Sequence, residues 1–353
     1  MGGAARGRRT ARPDGGRALS PGARRRRDYD ESDVRVRPGR GSRPRTKERP
    51  AHEGATTGRV VAVDRGRYTC RVDGSDVTAM KARELGRKGV VVGDRVGLVG
   101  DVSGGPDALA RVVRVEPRSS ALRRTADDTD PVERVIVANA DQLVVVTALA
   151  DPGPRPRLVD RCLVAAYDAG LEPLLCLTKA DLADPGPFLE TYRALDVPHV
   201  VTRHDEDPGA LRERLAGRTS VLVGASGVGK STLVNALVPG AARSTGVVNA
   251  VTGRGRHTST SAVALDLPHD RGVVVDTPGV RSFGLAHVDR ARVLAAFPDL
   301  EPGTAGCPRG CTHDEPECAL DAWVADGHAD PARLDSLRRL LRALQGGEPD
   351  EGG

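Results

Sequence analysis

The pattern of apolar and polar positions first indicates a small β-structure between residues 58 and 115. Apolar runs of strand length, among them GRVVAV and RYTCRV, alternate there with turns that contain glycine. Short strands at this spacing are typical of a small closed or nearly closed β-barrel. The order of the runs is compatible with both an OB-fold and an SH3-like barrel.

The pattern then changes to strands that alternate with helices. QLVVVTAL (142–149) and EPLLCLT (172–178) are buried apolar runs, and the helical segment between them ends at Gly170. Further strand-like runs lie at 199–204, 219–226 and 272–279. Apolar strands separated by helices predict a parallel sheet that is covered on both faces.

Polar stretches and an amphipathic helix complete the predicted organisation. PARLDSLRRLLRAL (331–344) has helical periodicity, so we expect it to bury its leucines and to expose Arg338, Arg339 and Arg342. The predicted boundaries are a disordered basic tail at 1–54, a β-barrel at 55–117, a polar linker at 118–134, an α/β domain at 135–296, a C-terminal α-helical metal-binding region at 297–345 and a disordered tail at 346–353.

The positive charge of the chain is concentrated in its N-terminal tail. Residues 1–50 hold 15 Arg and 1 Lys against 6 acidic residues, a net charge of +10, so the formal net charge of +5 leaves −5 for the remainder. The tail is rich in Gly and Pro and has no apolar periodicity, which predicts disorder. A solvated Arg-rich tail attracts polyanions, and RNA is the partner class this favours. The composition of the tail is equally compatible with an N-terminal extension that has no specific role.

The rest of the composition indicates how the chain would bind RNA and in which compartment the protein is expected. Aromatic residues make up only 2% of the chain, so nucleic-acid binding would rest on Arg and Lys contacts to phosphate. No apolar run approaches the roughly 20 residues of a membrane helix, and the N-terminus has no apolar core of a secretory signal. We therefore expect a cytoplasmic protein, in which clustered cysteines indicate a metal site rather than disulfides.

GASGVGKS (224–231) predicts a phosphate-binding loop. It follows the apolar run SVLVG and precedes the helical segment STLVNAL, so bound phosphates would meet a helix N-terminus. Its three glycines allow backbone amides to face the phosphates. Lys230 would contact the β- and γ-phosphates, and the Ser231 hydroxyl would ligate Mg²⁺.

VVVDTPG (273–279) predicts the second part of the same site. A strand that ends in Asp276 places a carboxylate near the magnesium ion, and the amide of Gly279 can face a γ-phosphate. A polar, Gly-rich segment at 252–263 lies between the two motifs and is typical of chain that orders around a nucleotide.

Within that segment, His257 is the candidate catalytic residue. Val280 follows Asp-Thr-Pro-Gly where many GTPases carry a glutamine that orients the attacking water, and a valine side chain cannot hydrogen bond. His257 can orient water, although a single loop histidine is more often simply solvated. Thr258, Ser259 or Thr260 would supply a further Mg²⁺ ligand, and the spacing leaves open which one.

TKAD (178–181) predicts the guanine-reading motif. The Asp181 carboxylate can accept hydrogen bonds from guanine N1–H and its 2-amino group, and the Lys179 stem can lie along the base. Alone, the pattern fits a helix start capped by Asp181 equally well. With a phosphate-binding loop on the same sheet, the guanine-binding interpretation is favoured.

Since the base-reading motif precedes the phosphate-binding loop, the order predicts a circular permutation of a GTPase.

CPRGCTHDEPEC (307–318) predicts a structural zinc site. Cys307, Cys311, His313 and Cys318 provide three thiolates and an imidazole, which suits closed tetrahedral Zn²⁺. Coincidental cysteines in a loop are the alternative, whereas an iron–sulfur cluster usually has cysteine at every position.

The chain resembles the RsgA (YjeQ) family of ribosome small-subunit-dependent GTPases over about residues 56–345. The resemblance rests on VGDRV, ANADQLVVV, the permuted GTPase motifs with GRHT, DTPGVRSFGL and the Cys-rich segment. It implies an OB-fold, a permuted GTPase domain and a zinc knuckle. It also implies GTP hydrolysis stimulated by the small (30S) ribosomal subunit and its 16S rRNA during late maturation, with His257 as the catalytic histidine.

The chain departs from the common GTPase pattern at two places. Thr178 stands where GTPases generally have Asn, and Thr202-Arg203-His204 stands where a Ser-Ala type loop supports the base. The predicted nucleotide contacts are Thr178, Lys179, Asp181, Gly224, Ala225, Ser226, Gly227, Val228, Gly229, Lys230, Ser231, Thr232, Thr258, Ser259, Asp276 and Gly279.

The sequence thus supports a monomeric, Mg²⁺-dependent GTP hydrolase that acts on the small ribosomal subunit. One alternative is a GTP-controlled RNA-binding module in which hydrolysis is incidental. A P-loop ATPase or kinase is disfavoured by Asp181, because adenine cannot return its bidentate pairing.

Overall fold

The computed structural model describes residues 52–86, 89–125, 133–239, 262–277 and 284–344. Residues 1–51 of the tail predicted at 1–54, and the whole tail predicted at 346–353, lie outside these residues. The strands are β1 Thr56–Asp64, β2 Arg67–Val72, β3 Ser75–Lys81, β4 Arg95–Gly100, β5 Ala110–Val115, β6 Ala121–Arg124, β7 Arg134–Ala138, β8 Gln142–Ala148, β9 Glu172–Thr178, β10 His199–Val201, β11 Arg218–Val223, β12 Val263–Asp266 and β13 Gly272–Asp276. The α-helices are α1 Pro156–Ala169, α2 Gly186–Tyr192, α3 Gly209–Leu215, α4 Lys230–Leu237, α5 Arg290–Leu294, α6 Ala319–Ala325 and α7 Pro331–Leu344.

The first five strands form a closed barrel. They are ordered β1-β2-β3-β5-β4, and the pairing of β1 with β4 closes the ring. Only the β3–β5 pair is parallel. The interior is filled by small β-branched side chains, including the fully buried Val60, Val77, Val96 and Val112. The predicted closed β-barrel is therefore confirmed.

The central sheet carries the α/β part of the chain. Its order is β10-β9-β8-β11-β13-β12, and all neighbours are parallel except β12 and β13. Alternate residues of β8 are buried on opposite faces of the sheet. Leu143 packs on the face covered by α1, and Val144 packs on the face covered by α3 and α4. Burial on both faces explains why these strands are almost continuously apolar.

Strand β12 joins the two parts, because it pairs with β13 on one side and with β1 on the other. Barrel and central sheet are thus one continuous sheet of eleven strands. A second contact lies at Val92, whose carbonyl accepts a hydrogen bond of 2.9 Å from the Ala138 amide. Strand β6 lies within the stretch predicted as a linker and pairs antiparallel with β7, at the start of the predicted α/β domain, in a separate two-stranded sheet. The predicted domain boundaries themselves stay a prediction.

Helix α7 packs against α1 with the expected leucine face. Leu334, Leu337, Leu340 and Leu341 are buried, and Leu344 is partly buried. The expected exposure of the arginines is wrong for two of the three. Arg338 is only 16% exposed and pairs with Asp321 of α6, and Arg339 lies over the Tyr192 ring at 4.8 Å. Carboxylates and a ring on neighbouring helices lie within reach of these long side chains, so they fold back onto the protein.

Candidate nucleotide and metal sites

The phosphate-binding loop lies between β11 and α4, at the carboxyl edge of the parallel strands. Gly227 and Gly229 have φ of 82° and 86°, a left-handed conformation that favours glycine. A Cβ at Gly224 would collide with the carbonyl oxygen of Val146 on the neighbouring strand. The glycines are therefore required by the backbone path, independently of any ligand.

Lys230 and Asp276 meet at the start of α4. The Lys230 ammonium is an ion-pair partner of an Asp276 carboxylate oxygen, and the lysine is 9% exposed. The next residue, Thr277, donates a hydrogen bond of 2.7 Å to the carbonyl of Leu222 on β11. Ser231 and Thr232 are exposed on the first turn of α4. The predicted phosphate-contacting lysine and the predicted magnesium-side carboxylate thus lie in one place.

Thr178 connects the base-reading motif to the phosphate-binding loop. Its hydroxyl donates a hydrogen bond of 2.6 Å to the carbonyl of Val228, and the residue is 4% exposed. The threonine side chain at this position therefore bonds directly to the phosphate-binding loop, and its role in nucleotide binding stays a prediction.

A loop after β8 also takes part, although its sequence suggests only a turn. The Lys179 ammonium donates to the carbonyl of Asp151, and a Cβ at Gly227 would lie 3.4 Å from the Pro152 ring. Residues 151–152 thus separate the lysine stem from the phosphate-binding loop. DPGP between a strand and a helix carries no signal of this role, because the contact depends on two loops meeting in space.

Asp181 is exposed and is held by one backbone amide. His204 N donates a hydrogen bond of 3.0 Å to Asp181 Oδ1, and this bond is the first cause of a pKa below the ordinary value for that carboxylate. The carboxylate is therefore ionised at neutral pH and has acceptor capacity left for guanine N1–H and the 2-amino group. The Thr202-Arg203-His204 loop supports the base-reading motif through this amide.

The remaining predicted residues of the nucleotide site cannot be placed. His257, Thr258, Ser259, Thr260, Gly279 and Val280 lie outside the described residues. Their roles stay predictions from the motifs and the family resemblance.

The four predicted metal ligands converge. Their ligand atoms all lie within 4.8 Å of one another. Cys307 Sγ is 3.6 Å from His313 Nδ1 and 3.8 Å from Cys318 Sγ, and the Cys318 Sγ to His313 Nδ1 distance is 3.7 Å. Tetrahedral zinc with ordinary bond lengths separates two sulfurs by about 3.8 Å and a sulfur from a nitrogen by about 3.6 Å. The spacing and the donor set therefore fit such an ion.

The surrounding contacts hold this cluster in shape. Glu315 accepts hydrogen bonds from the Thr312 hydroxyl at 2.7 Å and from its amide at 3.0 Å, which lowers the pKa of Glu315 to about 2. The His313 carbonyl accepts a 2.8 Å hydrogen bond from Arg338 of α7. Burial lowers the pKa of His313, which favours the neutral imidazole that ligates metals.

Comparisons with known proteins agree with this geometry. Residues 115–286 match the family model described as RsgA GTPase. A protein of Pseudomonas syringae pv. syringae named Small ribosomal subunit biogenesis GTPase RsgA is 39% identical over 265 residues, 72% of this chain and 75% of that protein. A protein of the same name from Gemmatimonas aurantiaca is 37% identical over 76% of this chain and 88% of its own length.

Two solved structures share the fold. The crystal structure of YjeQ from Thermotoga maritima matches 83% of this chain and 99% of that chain, with a TM-score of 0.60 and 26% identity. The crystal structure of YloQ, described as a circularly permuted GTPase, matches 86% of this chain and 99% of that chain, with a TM-score of 0.59 and 21% identity. The permuted order inferred from the motifs is confirmed. In the part of the chain that is described, no helix is both long and apolar enough to cross a membrane.

Proposed function

The chain belongs to the RsgA GTPase family, and from this premise we propose that it hydrolyses GTP during late maturation of the small (30S) ribosomal subunit. We propose further that it binds 16S rRNA in that particle, that the particle stimulates hydrolysis, and that the protein acts as a cytoplasmic monomer. The relatives from Pseudomonas syringae and Gemmatimonas aurantiaca carry the name of small ribosomal subunit biogenesis GTPases.

One observation carries the GTPase assignment. The Thr178 hydroxyl bonds to the phosphate-binding loop at Val228, and Lys230 of that loop contacts Asp276. Three motifs that are far apart in sequence therefore share one edge of the sheet. A base reader, a phosphate cradle and a carboxylate for Mg²⁺ are the parts that GTP hydrolysis requires.

The cofactor assignments belong to the same proposal. Mg²⁺ would be bound with GTP by the Ser231 hydroxyl and on the side of Asp276, where it would neutralise phosphate charge. Zn²⁺ would be held by the three cysteines and His313 as a structural ion. The strand order β1-β2-β3-β5-β4 with closure onto β1 supports the OB-fold as the barrel type.

Base specificity gives a direct test of the site. In Asp181→Asn, the side-chain carbonyl can still accept a hydrogen bond from N1–H, but the side-chain NH₂ group faces the 2-amino group of guanine, which is also a donor. Xanthine has a carbonyl at C2 and can accept this hydrogen bond, so the variant matches xanthine. We expect Asp181→Asn to lose GTP hydrolysis and to gain xanthosine triphosphate hydrolysis. Asp184→Asn, a change at a nearby exposed carboxylate that bonds only to the Gly186 amide, is the matched control. Unchanged preference for GTP in Asp181→Asn would remove Asp181 from the base site.

The ribosomal role is tested by GTP hydrolysis with and without purified small subunits at several salt concentrations. We expect the rate to rise on addition of small subunits and the effect to weaken steeply with salt, because contacts to RNA phosphates release counterions. Large subunits serve as the control particle. An equal rate with either particle and without one would contradict the proposal.

A further inference from the structure

A row of charged side chains crosses the junction between the barrel and the central sheet. Arg71 lies opposite Asp76 of β3 on one side and opposite Arg59 of β1 on the other. Both arginines form ion pairs with Asp266 at the end of β12, each with a different carboxylate oxygen. Arg71 also donates a hydrogen bond of 2.7 Å to Asp76.

Asp266 is the member of this row that belongs to the nucleotide-binding part. Arg59 also lies opposite Arg95 of the adjacent strand β4, so three arginines occupy neighbouring positions. Like charges on directly opposing residues of a sheet are destabilising. Asp266 offsets this repulsion for two of the three, and its side chain is 29% exposed, as are those of its partners Arg59 and Arg71.

The strand that carries Asp266 also leads to the nucleotide site. Val263 of β12 lies opposite Ala62 of the barrel on one side and opposite Asp276 on the other. Asp276 in turn contacts Lys230 of the phosphate-binding loop. One row of adjacent residues therefore connects the barrel to the groups that would surround the γ-phosphate.

The backbone pairing between β1 and β12 is short, with Ala62 and Val263 as its only register pair in the described chain. The Arg59–Asp266 ion pair lies three residues further along each of these two strands, and Arg71 of β2 forms the second ion pair with Asp266. The three side chains of these ion pairs are each 29% exposed, so a partner at the surface can reach them and change the arrangement of the junction.

We propose that Asp266 is a positioning residue through which a partner bound to the barrel changes the rate of GTP hydrolysis. Held by Arg59 and Arg71, it fixes β12, and with it Asp276, relative to the barrel. A partner that shifts the barrel moves β12 through this contact. The inference rests on the proposed function, because it takes the small ribosomal subunit as the partner.

The test is the GTP hydrolysis of the full chain with and without purified small subunits, with kcat and KM measured separately. For Asp266→Asn, and for Arg59→Gln from the barrel side, we expect basal kcat and KM to remain those of the unchanged protein. We expect the stimulation by subunits to fall about fivefold or more, in the range of ordinary coupling between sites. Co-sedimentation with subunits should persist, because the docking surface itself is intact.

Two control variants separate positioning from general stability. Asp76→Asn removes a carboxylate from the same row but leaves both ion pairs to β12, so stimulation should be unchanged. Asp266→Glu keeps the charge and should restore stimulation. In amide hydrogen exchange without subunits, Asp266→Asn should raise the exchange of β1 and β12, and Asp76→Asn should not.

Each outcome has a definite meaning. Full stimulation in Asp266→Asn overturns the inference, and so does an equal loss of basal and stimulated rates or a loss of subunit binding. If small subunits do not stimulate GTP hydrolysis by the unchanged protein, this result contradicts the proposed function rather than the role of Asp266. In that case unaltered exchange of β1 and β12 in Asp266→Asn would also exclude the positioning role.

Discussion

The barrel and the C-terminal region both attach to the central sheet, but by different kinds of contact. The barrel is held by backbone hydrogen bonds, by the close approach of Gly93 to Ala138 of β7, and by the ion pairs of Asp266. Val61 of β1 and Val92 are also buried in the apolar core that includes α1. Helix α7 is held by leucines that are buried against α1. Polar contacts at a surface can be exchanged for water at little cost, whereas a leucine face cannot be exposed cheaply. Since the barrel contributes fewer large apolar side chains to this core than α7 does, we expect the barrel to be attached less firmly than α7.

Metal removal should have the largest effect of the changes considered, and we expect it to unfold the C-terminal region without unfolding the barrel. The proposed Zn²⁺ is expected to contribute on the order of 10 kcal/mol to folding of the segment around the four ligands. Trp323 of α6 is the single tryptophan, and its indole donates a 3.0 Å hydrogen bond to the Asp299 carbonyl. A chelator should shift its fluorescence to the red, and added Zn²⁺ should reverse the shift. Unaltered fluorescence in the chelated protein would exclude a structural metal.

Gly93→Ala should disrupt the barrel attachment next most strongly. Gly93 has φ of 90°, and an added Cβ would collide with the carbonyl oxygen of Ala138 in β7. We expect a loss of about 4 kcal/mol or more in the free energy of unfolding, measured in urea. Gly89→Ala is the matched control, because nothing lies within 4 Å of its added Cβ. Similar losses for both variants would show that this approach does not hold the barrel.

Leu337→Ala tests the apolar attachment directly. Leu337 is fully buried in the core shared by α7 and α1. Its truncation should cost about 2–5 kcal/mol of unfolding free energy through lost burial and a residual cavity. Arg342→Ala on the exposed side of the same helix, 60% exposed and paired with Asp314, should cost far less. Equal costs for the two would contradict a leucine-based attachment.

A buried carboxylate within the same interface should give a smaller, pH-dependent effect. Asp160 of α1 is 4% exposed and lies 3.2 Å from Arg339 Nε, yet burial raises its pKa to about 6. The folded state therefore binds this proton more tightly than the unfolded chain, where the pKa is about 3.9. The resulting stabilisation is complete below pH 4 and is lost as the pH rises through 6, by about 3 kcal/mol in total.

Asp160→Asn carries no titrating group at that position. The difference in unfolding free energy between the unchanged protein and this variant should therefore fall by that amount from pH 4 to pH 7. A difference for Asp160→Asn that is constant with pH would contradict the raised pKa of this carboxylate.

Local patterns predicted most of the elements and the expected chemistry of the sites, although strand β6 lies in a stretch predicted as a linker. Alternating and continuous apolar runs predicted a barrel followed by a parallel sheet, because each pattern is set by which faces of a strand are buried. The spacing of Cys307, Cys311, His313 and Cys318 was enough to indicate a metal site. The order of TKAD before GASGVGKS was enough to indicate the permutation.

Contacts between distant segments were beyond the reach of local patterns. VGDRV contributed to the family resemblance, but only the structure shows Gly93 against Ala138 and the fully buried Asp94 paired with Arg118 at 2.7 Å. Arg338 and Arg339 had been expected in solvent, since helical periodicity describes one helix and not the carboxylates of its neighbours.

The sequence by itself thus indicated most of the elements, the motifs expected to bind nucleotide and metal, and the order in which they come, because these properties depend on residues near one another in the chain. Only the tertiary structure decided that Thr178 bonds to the phosphate-binding loop, that α7 is fixed by leucines, and that Asp266 joins the barrel to the strand beside Asp276. Each of these contacts joins segments separated by many residues, and their positions are set by how sheet, barrel and helices pack together.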